Sequence, residues 1–190
     1  MFTAGSERDL LMSLRFGGRA VKLLAIDFET ANHDPGSACA VAIAAIDGGE
    51  LRMTRHWFIR PPTAEFVFTY IHGIDWPDVA DKPEFGAVWD EMEPLVRGAD
   101  FFLAHNAPFD RNVLTHCCRN ARRRNPKIPF LCTVRLARDA WGIYPTKLPD
   151  VCRKLRIPLK HHDAESDATA CAKIAIAALQ QGHSLEKATA

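Results

Sequence analysis

The apolar positions of this chain keep two rhythms. "LLAIDFET" (23–30), "ACAVAIAAID" (38–47) and "ELRMTRHWFI" (50–59) are continuous or alternating apolar runs of strand length, and Gly48-Gly49 between the last two predicts a hairpin turn. "DFFLAHN" (100–106) and "FLCT" (130–133) predict two further short strands. Helical spacing runs through "PEFGAVWDEMEPLVRG", a segment opening near Pro108, "VRLARDAW", "LPDVCRKLRI" and a last stretch from about Asp163 to Gln181, closed by Gly182. A proline-spotted loop is expected from Arg60 to about Pro83. This alternation predicts an α/β domain over residues 21–182, with an N-terminal extension of unassigned role at 1–20 and a flexible tail at 183–190.

Two acids interrupt the first strand. Successive side chains on a strand point to opposite faces, so Asp27 and Glu29 project from one face, one pleat apart. Burying unpaired charge is costly and adjacent like charges repel, so a cation is expected between them. Two more acids can share it. Asp110 follows the strand "FFLAHN" at the start of a helix, where an acid is also favoured for purely local reasons. Asp167 heads a stripe with Cys171, Ile174 and Ala178 at i, i+4, i+7 and i+11, the side of the last helix expected to pack on the sheet. Carboxylate oxygens suit Mg²⁺ or Mn²⁺, and two such ions can clamp the attacking and leaving oxygens of a phosphoryl displacement. His162 lies five residues before Asp167, about 140° around a helix, and converges with it more easily from a loop just before the helix, where Asp163 is a candidate cap.

Composition narrows the picture. A net charge of +1 with 25% charged residues argues against a histone-like binder, and no apolar run reaches membrane-spanning length. None of the six cysteines forms a C-x-x-C pair, so zinc is not expected, and core thiols in a reducing cytoplasm are. The run "RNARRRNPK" (119–127) could steer a phosphate backbone or simply cap a helix end with cations. The four tryptophans are expected mainly in the core.

"DFETAN", "HNAPFDRNVL" and "HHDAESDATA" resemble, in order, the three exonuclease motifs of the DEDD 3′–5′ exonuclease superfamily, in its histidine (DEDDh) branch, which includes proofreading epsilon subunits of bacterial DNA polymerase III. "YIHGID" (70–75) resembles the H-G-I segment between the first two motifs. The resemblance covers about residues 21–181 and implies a ribonuclease H-like fold, a five-stranded mixed sheet flanked by helices. It implies two Mg²⁺ or Mn²⁺ ions held by Asp27, Glu29, Asp110 and Asp167, with His162 as general base. His161, one residue out of the H-x₄-D register, is expected to matter less.

The same resemblance implies contacts to the terminal nucleotide from Phe28 and Thr30, through the backbone at Phe28, and a wedge of His72 and Ile74 against its base. Asn106 and Phe109 would shape the site. The implied reaction releases nucleoside 5′-monophosphates from single-stranded 3′ ends, with DNA favoured over RNA. The alternatives are an RNA-directed 3′–5′ exoribonuclease of the same fold and a non-catalytic nucleic-acid-binding or polymerase-associated subunit, and a proofreading role would draw on a DNA polymerase in trans.

Overall fold

The computed structural model describes residues 15, 16 and 19–190. Most of the N-terminal extension therefore lies outside the described residues; within it Arg15–Phe16 pairs antiparallel with Arg19–Ala20. The main sheet has five strands: β1 (Lys22–Thr30), β2 (Ala38–Asp47), β3 (Glu50–Phe58), β4 (Phe101–Ala104) and β5 (Phe130–Cys132). Their order is β3-β2-β1-β4-β5. The first three form an antiparallel meander, and β4 and β5 add in parallel on the far side of β1. This mixed sheet flanked by helices is the ribonuclease H-like arrangement expected.

Among the described residues seven α-helices surround it: α1 (Thr69–His72), α2 (Trp76–Val79), α3 (Phe85–Val96), α4 (Pro108–Asn120), α5 (Thr133–Trp141), α6 (Leu148–Leu155) and α7 (Ala164–Gln180). The first two lie in the stretch expected to be loop. Pro77 sits at the start of α2, where a missing N–H costs nothing, and Asp75 and Asp78 form a capping box there. The prolines of this stretch punctuate helices instead of preventing them.

Pleat alternation on β1 divides the core. Leu24, Ile26 and Phe28 face α3 and α4, while Leu23 and Ala25 face α5, α6 and α7. Asp27 and Glu29 continue the second row, so the acid face is the face that α7 covers. That face is built of small side chains. Ala40, Ala42 and Ala44 of β2 lie beside Glu29, Asp27 and Ala25, and Ala168, Cys171, Ala172, Ala175 and Ala178 of α7 are all fully buried. Small residues on both surfaces let the helix axis approach the sheet closely, which carries Asp167 to the acids of β1.

The C-terminal segment, expected to be loose, is docked. Thr189 bridges Leu131 on the open edge of β5, and the Ala190 N–H donates to the Phe130 carbonyl at 2.9 Å. Arg135 reaches the Thr189 carbonyl, Arg111 the Ala190 carbonyl at 3.0 Å, and Lys187 pairs with Asp139. An edge strand with unpaired backbone groups accepts such a cover readily.

The close approach of α7 to β2 generates a test. Ala44→Leu should cost ~1–3 kcal/mol by overpacking, seen as a lower urea midpoint, and should reduce activity further by displacing Asp167.

Candidate active site

β4 ends early, and that vacancy makes the site. It pairs with β1 only over Leu23–Ala25, so the distal half of β1 has no neighbour on that side. The N-terminus of α4 fills the gap. Asp110 stands in its first turn, as helix chemistry favours, and is also buried against β1, where its Oδ1 accepts the Phe28 N–H at 3.1 Å. The local preference of a first helical turn and burial beside β1 coincide at this residue. The turn into α4 runs through Asn106 at φ +68°, a conformation uncommon for a non-glycine residue, closed by the Phe109 N–H on the Asn106 carbonyl at 2.9 Å.

Asp167 approaches from the other layer. It is buried, with one oxygen of Asp27, of Glu29 and of Asp167 lying within 4.8 Å of one another. Its Oδ2 accepts from His161 Nδ1 at 2.9 Å and from the His162 backbone N–H at 3.1 Å. Its Oδ1 is buried and has no hydrogen-bond partner. A buried orphan oxygen on a carboxylate among like charges is costly by itself, and a hard cation relieves it, so the donor set fits divalent metal. His162 lies before α7, and Asp163 caps that helix by accepting the Ser166 N–H at 3.1 Å, as expected.

Electrostatics mark the same residues. Burial, then Asp110, Asp167 and Glu29, hold the Asp27 carboxyl well above its usual range. Burial, then Asp167 and Asp110, push Glu29 to about 8, and burial pushes Asp110 to about 8. Asp167 is raised by burial, against the bonds that it accepts from His162 and His161. His162 is lowered by burial and by the ring of His161, which favours its neutral form.

The acids open into a cavity of about 610 Å³ lined by Asp27, Phe28, Glu29, Thr30, His72, Asn106, Phe109, His161, His162 and Asp167 among others. Nine of the eleven residues picked out in the sequence therefore line it; Asp110 and Ile74 do not. Phe28 keeps its ring in the core, 6.5 Å from that of Phe85, leaving only its backbone to the cavity. Ile74 faces a neighbouring groove instead, and Ile71 lines the cavity in its place. What Ile74 does is orient His72: its N–H donates to His72 Nδ1 at 3.0 Å, so His72 Nε2–H is the donor to the Thr30 carbonyl at 3.1 Å. Gly73, at φ +77°, permits that turn.

Two residues near the cavity, His105 and Arg138, escaped the sequence reading. His105, at the end of β4, is held between Thr133 Oγ1 at 2.9 Å and the Thr146 carbonyl at 3.0 Å, and burial pulls it down to about 4. Arg138 lines the cavity with its Nε donating to Thr146 Oγ1 at 3.0 Å, its guanidinium 5.2 Å from the Tyr144 ring. Only the position of His105 at the end of a parallel strand hinted at it in the sequence. The basic run at 119–127 begins at Arg119, about 14 Å along α4 from Asp110, and Arg123 within it is paired with Asp90 at 2.6 Å. None of the four tryptophans lines the cavity, and all six cysteines are buried and unpaired.

An all-carboxylate cluster with an adjoining histidine, at the broken end of a central strand, is a donor set suited to divalent metal and phosphoryl chemistry. The chain belongs to the exonuclease family: the exonuclease family model (RNase_T) matches residues 24–175. It is 33% identical over 162 residues to exodeoxyribonuclease 10 of Escherichia coli, an alignment covering 80% of this chain and 66% of that protein, just under two thirds of its length. Among solved structures it resembles exonuclease X in complex with 5′ overhanging duplex DNA (TM-score 0.66, 24% identity, covering 87% of this chain and 96% of that one). It also resembles the nuclease domain of 3′hExo, a DEDDh family member, bound to rAMP (TM-score 0.73, 20% identity, covering 87% and 94%). Exonucleases of this fold use divalent metal ions.

Two outcomes follow for the protein without metal. Asp27→Asn removes one of the crowded charges, so it should raise stability by at least about 1 kcal/mol near pH 8 while abolishing turnover, checked by paired urea melts and nuclease assays. His105 titrates lower when folded than when unfolded, so the unfolded state binds more protons between its unfolded value and about 4. Its contribution is present above roughly pH 6.5 and lost as pH falls toward 4, by up to about 3 kcal/mol, and His105→Asn should flatten that part of the stability–pH curve.

Proposed function

We propose that this chain hydrolyses the terminal phosphodiester of single-stranded nucleic acid from the 3′ end, DNA in preference to RNA, and releases nucleoside 5′-monophosphates. One observation carries the reading: the orphaned Asp167 Oδ1, buried beside Asp27 and Glu29 at the mouth of an open cavity. Asp27, Glu29, Asp110 and Asp167 would hold two Mg²⁺ or Mn²⁺ ions. Bound there, divalent ions supply Lewis-acid activation of water and neutralise charge developing on the phosphate.

The chain's own groups do the rest. His162, kept neutral by its surroundings, takes the proton of the attacking water. Phe28 presents its backbone carbonyl to the last nucleotide, and Thr30 fixes the rim through its bond from His72. His72 and the neighbouring turn up to Ile74, with Ile71 at the surface, wedge against the terminal base, opposed by Phe109 and Asn106. Phe109 and Ile71 are both substantially exposed, as stacking surfaces must be. The E. coli relative is an exodeoxyribonuclease, which favours DNA. The ribonucleotide in the 3′hExo structure keeps an RNA-directed activity as the second reading.

Six buried, unpaired thiols suit a reducing cytoplasm, and no helix among the described residues is long and apolar enough to cross a membrane. A proofreading role would place the enzyme beside a DNA polymerase supplied in trans.

End-labelled single-stranded DNA and RNA of matched sequence test the reading. A ladder shortening from the 3′ end should appear with Mg²⁺ or Mn²⁺, weakly with Ca²⁺, and vanish in excess chelator; cleavage of a circular single strand would identify an endonuclease instead. Asp167→Ala should abolish turnover with poor rescue by Mn²⁺. His162→Ala should lose ~10²–10⁴-fold in rate while its Mn²⁺ affinity, measured by calorimetry, stays near wild type.

A further inference from the structure

The geometry points to His161 as a positioning residue: its ring locks the Asp167 carboxylate so that Oδ1 faces Asp27 and Glu29, and supports the ring of His162 from behind. This rests on the metal-dependent reading of the site. Its sequence position, one residue outside the H-x₄-D spacing, suggested a bystander.

An aspartate carboxylate is a nearly two-fold rotor about its last torsion. At Asp167 the rotor is pinned from one side only. Oδ2 takes both donors, His161 Nδ1 at 2.9 Å and the His162 N–H at 3.1 Å, while Oδ1 takes none. An ionised carboxylate only accepts, so His161 Nδ1 carries the hydrogen. The division is functional in form: one oxygen is spent on orientation and the other is left bare, on a carboxylate that lies beside Asp27 and Glu29.

The same ring does a second thing. His161 and His162 stack with centroids 3.7 Å apart and planes 23° from parallel. His162 stands at φ +65°, a left-handed conformation that is unfavourable for a residue with a Cβ. The bond from its N–H to Asp167 and the stack on His161 both hold that turn. His161 is therefore coupled to one metal ligand by a hydrogen bond and to the base by ring contact, through a side chain that is itself partly exposed.

Two substitutions separate these roles. His161→Asn retains a donor near Nδ1 and loses the ring; His161→Phe retains the ring and loses the donor. Mn²⁺ binding to the whole chain, followed by calorimetry without nucleic acid, reads the first role. The Phe variant should bind about 10–100-fold more weakly, the usual effect of removing a hydrogen bond from a metal-bound carboxylate, and the Asn variant within about twofold of wild type. His161→Ala carries the same expectation as Phe should the larger ring disturb the loop, and urea midpoints report whether each variant is folded. On single-stranded DNA at saturating Mn²⁺, the Asn variant should lose kcat with KM little changed, because the ring behind His162 is gone.

Unchanged Mn²⁺ affinity in both the Phe and Ala variants would overturn the positioning role. Equal weakening in Asn, Phe and Ala would overturn it too, by making His161 a ligand in its own right. A wild-type protein that takes up no Mn²⁺ would overturn the metal-dependent reading on which the inference rests, a result distinct from both.

Discussion

Mutual repulsion among buried carboxylates is the constraint around which this structure is arranged. Burial raises the proton affinity of Asp27, Glu29, Asp110 and Asp167, and neighbouring carboxylates raise that of the first three further. No fold gathers such a group for stability, since each charge opposes the others and Asp167 Oδ1 is left without any partner. The cost is carried by what surrounds them: a central strand in the middle of the sheet, two apolar layers, and a helix that packs closely because both surfaces are alanine-rich. Function is the reason for the expense.

The topology decides where the acids meet. β1 is longer than β4, so its last residues offer backbone and side chains to whatever enters beside them. α4 enters with Asp110, and the Phe28 N–H, deprived of a strand partner, is satisfied by that carboxylate. α7 descends on the opposite layer with Asp167. A cavity therefore opens at the strand's end, bounded by left-handed turns at Asn106 and His162. Local backbone strain of this kind collects where side chains must be aimed.

Much of this was legible in the sequence because it obeys short periods. The two-residue spacing of Asp27 and Glu29 fixed their common face, and the helical stripe from Asp167 through Ala178 fixed which side of α7 is buried. The Asp163 cap set His162 in the loop before that helix. Other features needed contacts that no period encodes. His105 depends on Thr133 and Thr146, from elements 28 and 41 residues away. Ile71 replaces Ile74 at the cavity because the αL turn at Gly73 folds Ile74 back onto His72. The docked C-terminus depends on the open edge of β5, and α1 and α2 were hidden by prolines, although the Asp75–Asp78 capping box was a readable sign of the second. His161 was discounted by counting spacing along one dimension, while the contact that matters closes across the helix start.

The most direct measurement of the central claim is anomalous scattering from crystals of the chain soaked in Mn²⁺. Two peaks about 3.5–4 Å apart, among the carboxylates of Asp27, Glu29, Asp110 and Asp167, are the predicted result. No peak at saturating Mn²⁺, or a single ion held by His161, His162 and Asp167 away from β1, would contradict the account.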